Sequence, residues 1–149
     1  MADLDYKGAA SMTAEELWRK AGIHGEYEAW AFGDDADYLA ELVKTGRKTA
    51  TSSLKCLYEL EGEPLPQPQE YSVILNASGD AVCIIRTTRV YVTPFNKISE
   101  EHAYREGEGD RTLAFWRKVH QNFFSEELKN IGKEFYDGLE IVCEEFEVV

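Results

Sequence analysis

Tyr71-Ser72-Val73-Ile74-Leu75-Asn76, then Ala77-Ser78-Gly79-Asp80, then Ala81-Val82-Cys83-Ile84-Ile85-Arg86-Thr87-Thr88-Arg89-Val90-Tyr91-Val92 is the stretch on which the fold turns. Two runs rich in Val, Ile, Thr and Tyr flank turn-forming residues, the pattern of a β-hairpin closed by a Gly-containing turn. Alternation along the second arm puts Ile85, Thr87, Arg89 and Tyr91 on one face and Arg86, Thr88, Val90 and Val92 on the other. Arg86 and Arg89 are therefore expected on opposite faces, one of them available to a site.

Upstream, three prolines between Pro64 and Pro68 exclude a central strand and make a rigid loop. The residues from Thr49 onward favour β structure. Before them, Asp34 or Asp35 is placed to cap a helix that carries Tyr38, Leu39, Leu42 and Val43 and stops at Gly46. Thr13 and Glu16 have capping-box spacing ahead of Leu17 and Trp18, so a short helix ending near Gly22 is expected after a lead-in over residues 1–12. Downstream, a helix is expected near Ser99 to Glu106, then a break at Gly107-Glu108-Gly109. A second helix capped by Asp110 follows with Leu113, Trp116 and His120 on one face, and Ser125 to Lys129 adds a turn. Leu139 to Val149 is a closing strand. The class is α+β, with a mostly antiparallel sheet able to curl into a small barrel.

At 149 residues, 44% hydrophobic and with 18 aromatics (8 Tyr, 7 Phe, 3 Trp), the chain can bury one core. No repeat or inter-domain linker interrupts it. A net charge of -12 repels phosphate at long range, so nonspecific nucleic-acid binding is disfavoured while a local basic groove stays open. Cys56, Cys83 and Cys143 are isolated and read as small buried hydrophobes; with His24, His102 and His120 also scattered, neither a disulfide framework nor a metal is expected. No apolar run approaches a membrane span, and a reduced cytoplasmic location is expected.

Phosphate-binding Gly loops, nucleophile elbows and zinc-protease helices are absent. Two segments stand out instead. Gly46-Arg47-Lys48-Thr49-Ala50-Thr51 sets two cations and two hydroxyls at a helix exit, which is explained as well by the helix dipole and strand propensity as by function. Glu106-Gly107-Glu108-Gly109-Asp110-Arg111 places three acids and two glycines between helices, equally a helix stop and a cap. Trp18, Trp116, Phe123 and Phe124 are expected in the core, whereas Trp30 and Phe32 fall in a loop, with Trp30 a candidate cleft wall.

The ordered set Trp30-Ala31-Phe32-Gly33, Gly46 to Thr51, Glu63-Pro64-Leu65-Pro66, Cys83 to Thr88, Glu106 to Arg111 and Trp116-Arg117-Lys118-Val119-His120 resembles the ASCH domain family, in a branch with this extended layout. The resemblance covers about Trp30 to Phe146. It implies a PUA-like fold, a small β-barrel with flanking helices, for residues 30–149, with residues 1–29 as a lead-in and helix packed upon it. The implied ligand is a modified nucleoside or RNA, without cofactor, membrane or DNA.

Small family members that hydrolyse cytidine acetylated on its exocyclic amine are similar at Gly-x-Lys-x-x-Thr and at a glutamate after a His-Ala pair. The matching positions here are Lys48, Thr51 and Glu106, the last following His102-Ala103. The chain departs from those members in its longer N-terminal region, the Pro64 to Pro68 loop and the Gly107 to Arg111 stretch. In an amide hydrolase Thr51 is the nucleophile and needs a base. Lys48 is that base if neutral, with Arg47 or Arg86 nearby to favour the neutral form, or an oxyanion-stabilising cation if charged. Glu106 orients Lys48 or protonates the departing amine. The alternative is an RNA-binding module, or a ribonuclease, in which Arg47, Lys48, Arg86 and Arg111 meet phosphates and Trp30 or Tyr58 stacks a base.

Overall fold

A computed structural model describes residues 11–149. The lead-in expected over residues 1–12 lies almost wholly outside the described residues. The elements run α1 (Ala14–Ala21), β1 (Glu28–Ala31), α2 (Ala36–Lys44), β2 (Ala50–Leu54), α3 (Lys55–Glu61), β3 (Tyr71–Leu75), β4 (Ala81–Pro94), a 3-10 turn (Phe95–Lys97), α4 (Glu100–Glu106), α5 (Leu113–Asn130) and β5 (Glu140–Val148). Among the described residues the strands form one curled half-barrel sheet in the order β1-β3-β4-β5-β2, in which the β1-β3 pair alone is parallel. This is the expected α+β class with a mostly antiparallel sheet and flanking helices.

The β3-β4 hairpin anchors it. Asn76 Oδ1 accepts the backbone N–H groups of Ser78 and Asp80, and Gly79 supplies the left-handed residue of the turn at φ 84°. One expectation fails here. A bulge between Thr87 and Arg89 adds a residue to β4, so Arg86 faces Glu147 and Arg89 faces Glu145. Glu145 and Glu147 are two apart on β5, so both arginines lie on the same face, ion-paired to those glutamates.

Other departures are local. Asp35 occupies the cap of α2 but its side chain makes no capping bond, and Tyr38 is exposed, leaving Leu39, Ala40, Leu42 and Val43 to bury the helix. Thr112, not Asp110, caps α5 by accepting from Phe115 N at 3.1 Å; Asp110 instead accepts from Thr112. The helix then runs unbroken through Ser125 to Lys129, burying Trp116, His120, Phe124 and Leu128 as one stripe. Trp30 sits in the short strand β1 and not in a loop, and α3 occupies part of the region expected to be β.

Two apolar clusters hold the sheet. One joins Leu54, Ile141 and Cys143 to α4 and α5 through Ala103, Trp116, Phe124 and Leu128. The other joins Ile74, Ile85 and Phe146 to Ala40 and Val43 of α2, with Trp30 and Phe32 against it. Cys83 and Cys143 are buried free thiols, the latter pushed up to about 12 by burial. Among the described residues no helix is long and apolar enough to cross a membrane.

Candidate functional site

A cleft of about 640 Å3 opens on the curled sheet, and residues of both edge strands line it: Trp30 from β1 and Thr51 from β2. The volume suits a small organic ligand. Lys48, Thr51 and Glu106 all line it, as does Trp30. Arg47, Arg86 and Arg111 are not among its lining residues. Arg86 is held by Gln69 and Glu147, Arg47 donates to the carbonyls of Gly107 and Gly109, and Arg111 lies over the Tyr104 ring and donates to the Tyr104 carbonyl. The three guanidinium groups are thus engaged by the protein itself.

At the inner end of the cleft is a buried ionic cluster. Lys48 Nζ is 2.8 Å from Glu106 Oε1 and 3.3 Å from Glu108 Oε2, with side-chain exposures of 1%, 2% and 16%. The backbone sets this up: Gly46 leaves α2 at φ 82°, Lys48 N bonds Leu42 O and Thr49 N bonds Arg105 O, so the loop is stitched to both α2 and α4. Glu106 is on the last turn of α4, whose N-cap Ser99 accepts from His102 N.

Glu106 is saturated with donors. Its Oε2 accepts from Ser52 Oγ at 2.5 Å and Trp116 Nε1 at 2.6 Å, with His102 Nε2 at 3.2 Å and His120 Nε2 at 3.4 Å. Burial pushes its carboxyl up, but the Lys48 ammonium, His120 and the hydrogen bonds from both imidazoles outweigh that and hold it well below the usual carboxylate range. Glu108 goes the other way: burial, reinforced by the Glu106 charge, raises it despite Lys48. Burial lowers His120, yet the Glu106 charge and hydrogen bond and the Glu108 charge prevail, and its pKa is raised. His120 stacks on the Trp116 indole at 4.2 Å with Nδ1 against the Trp116 carbonyl at 2.9 Å.

Ser52 Oγ also lies 2.7 Å from His102 Nε2. With the hydroxyl proton given to Glu106, hydrogen-bond logic places the ring proton on Nε2, and His102 Nδ1 is buried without a partner. Ser52, His102, His120, Trp116 and Glu108 are cluster members that residue spacing did not single out. Trp116 and His120 stand four apart on α5, which marks a shared face but not that it would meet Glu106.

Thr51 and Ser52 diverge because side chains alternate along a strand. Thr51 is paired with Glu144 and Ser52 with Cys143. Thr51 therefore shares a face with Glu144, whose carboxylate accepts from Thr87 Oγ1 at 2.7 Å, while Ser52 turns toward α4. The Thr51 hydroxyl makes no hydrogen bond among the described residues. Glu106, Glu108 and His120 bring donor atoms within 4.8 Å of one another, a spacing a metal could use, but the Lys48 ammonium already bridges the two carboxylates.

Among the described residues, ten that line the cleft are Asp or Glu, against Lys48 as the one Lys or Arg, and six others are Tyr, Trp or Phe. Pro64 and Pro66 of the proline-rich loop and Glu108 of the Gly107 to Arg111 stretch are part of the wall.

A curled PUA-like sheet with a helix-flanked cleft defines the class. The chain belongs to the ASCH domain family, whose model matches residues 28–149. It is similar to the ASCH domain of Lactobacillus crispatus JV V101, at 34% identity and TM-score 0.84 over 90% of this chain and 92% of that one. It is also similar to a protein of Enterococcus faecalis V583, at 37% identity and TM-score 0.80 over 91% of this chain and 86% of that one. No curated protein matches it.

Proposed function

We propose that the chain is an amidohydrolase that removes the acyl group from the exocyclic amine of a cytidine-type nucleoside. The observation that carries this reading is that Lys48, Thr51 and Glu106 all line one cleft of small-ligand size. Lys48 acts as a cation: bridged by two carboxylates, its ammonium is a fixed positive charge for a developing oxyanion. Glu106, surrounded by donors and held ionised, fixes Lys48 and is not the proton donor. Thr51, whose hydroxyl is uncommitted, attacks the acyl carbon, whereas Ser52 has its proton tied to Glu106.

The charge of the cleft favours a nucleoside over RNA. Ten acids and one lysine repel a phosphate backbone but accept a neutral nucleoside, whose ribose hydroxyls and single amide N–H can donate to them, and the aromatic wall offers the base stacking faces. The test is turnover of N4-acetylcytidine to cytidine and acetate by the purified chain. Turnover should be lost in both Lys48→Ala and Thr51→Ala; activity at the wild-type level in both variants would refute the reading. Salt-sensitive oligoribonucleotide binding without turnover would replace it with an RNA-binding role.

A further inference from the structure

We propose that Glu108 is the proton carrier of the cleft and that Arg47 is the residue that positions it. The inference rests on the hydrolase reading and supplies what that reading lacks, a group able to take a proton from Thr51 and return it to the departing amine.

Of the two carboxylates on Lys48, Glu106 is walled in by five donors, and its side chain is 2% exposed. Among the described residues Glu108 has one partner, Lys48; it lines the cleft and is 16% exposed, so a ligand can reach it. The charged and titratable groups that face it are Lys48 from the α2-β2 loop, Glu106 from α4 and His120 from α5. The balance of burial and Glu106 repulsion over Lys48 attraction raises its affinity for a proton, as a group that must both gain and lose one requires.

Its placement is built. Arg47 Nε donates to Gly107 O at 2.7 Å and Nη2 to Gly109 O at 3.0 Å, so one guanidinium fork clasps the carbonyls on either side of Glu108. Arg111, seated on Tyr104, reaches back to the Arg47 carbonyl at 3.4 Å. Gly107 and Gly109 both have positive φ and are packed so closely that a Cβ would meet Arg47 O at 2.3 Å and the Phe115 ring at 2.4 Å. The loop has little room for another conformation, and Glu108 is its one side chain that reaches Lys48.

In the reaction, the Thr51 oxygen bonds to the acyl carbon as its proton passes to the Glu108 carboxylate. The C–N bond then breaks, and the amine leaves with that proton. Water attacks the Thr51 ester, giving a proton to Glu108 that returns to the Thr51 oxygen as the carboxylic acid departs. One amide and one water become one amine and one acid.

The experiment is the pH profile of N4-acetylcytidine hydrolysis by the full chain, with Lys48→Ala as control for the parent reading. Glu108→Gln should lower kcat about 100-fold with little change in KM and abolish the acidic limb of kcat/KM. Arg47→Lys, which keeps the charge but not the fork, should lower kcat about tenfold and move that limb toward lower pH; a purely structural Arg47 would leave the limb in place. If Lys48→Ala is inactive while Glu108→Gln keeps wild-type kcat and profile, the proton-carrier role is wrong and the hydrolase stands. If the wild type shows no turnover, the hydrolase reading and the proton-carrier role fall together. The positioning role is then decided by carboxyl 13C NMR, in which Glu108, assigned by its loss in Glu108→Gln, titrates above the usual carboxylate range and returns toward it in Arg47→Ala. Ordinary titration in the wild type, or no response to Arg47→Ala, overturns it.

Discussion

Lys48 Nζ and Glu106 Oε1 meet at 2.8 Å with side-chain exposures of 1% and 2%. Removing one member of such a pair strands the other in a poorly solvated site, at a cost of about 3–5 kcal/mol. Lys48→Met should lower unfolding stability by that order, and Lys48→Met/Glu106→Gln should be less destabilised than the sum of the single variants. Urea titrations of the four proteins measure the coupling. Because the Glu106 carboxyl lies below its reference of 4.5, its stabilisation is complete above that pH and disappears as pH falls through the folded value. Glu106→Gln should therefore show a shallower acid loss of stability.

His120 titrates with the opposite sign. Its folded pKa lies above 6.5 because Glu106 and Glu108 outweigh burial, so its contribution is full below 6.5 and is lost as pH rises through the folded value. The thermal midpoint of the wild type should fall between neutral and mildly alkaline pH more than that of His120→Asn. Parallel curves for the two proteins would show that His120 does not carry the effect.

The difference between what was legible in the sequence and what was not follows from the range of each signal. The hairpin at Tyr71 to Val92, the helix near Ser99 to Glu106 and the stripe on α5 are local patterns, and the fold realises them. The bulge near Thr88 leaves the composition of β4 unchanged, yet one extra residue reversed the relation between Arg86 and Arg89. The helix α3, only seven residues with Leu54 as an uncapping N-cap, was hidden beside β2, although Gly62 at φ 67° marks its end. Lys48, Thr51 and Glu106 are singled out through family resemblance, and all three line the cleft. The links from Ser52, Trp116 and His120 to one carboxylate join residues up to 68 apart in sequence, and no spacing rule spans such a loop.

Gly107 and Gly79 separate conformation from crowding. Both have positive φ, 76° and 84°, but a Cβ at Gly79 meets nothing within 4 Å, whereas at Gly107 it meets the Arg47 carbonyl oxygen at 2.3 Å. Gly79→Ala should cost only the left-handed penalty of about 1–2 kcal/mol. Gly107→Ala adds a backbone clash and should cost clearly more in a denaturant titration, with the deficit accompanied by reduced turnover because the same shift moves Lys48 and Glu108.

Trp30 and Arg86 make the last contrast, since both were candidate ligand contacts and only Trp30 lines the cleft. Its indole meets Phe32 edge-on at 5.0 Å, and Phe32 lies 5.4 Å from the Lys48 ammonium, so an aromatic wall runs up to the ionic cluster. A base stacked there would gain about 1–3 kcal/mol, and Trp30→Ala should raise KM for N4-acetylcytidine roughly tenfold with a smaller change in kcat. Arg86 is bound to Glu147 and Gln69 on the sheet, so Arg86→Ala should leave both constants within about twofold of wild type. The reverse ranking would place the ligand against the part of β4 that carries Arg86 and not in the cleft between β1 and β2.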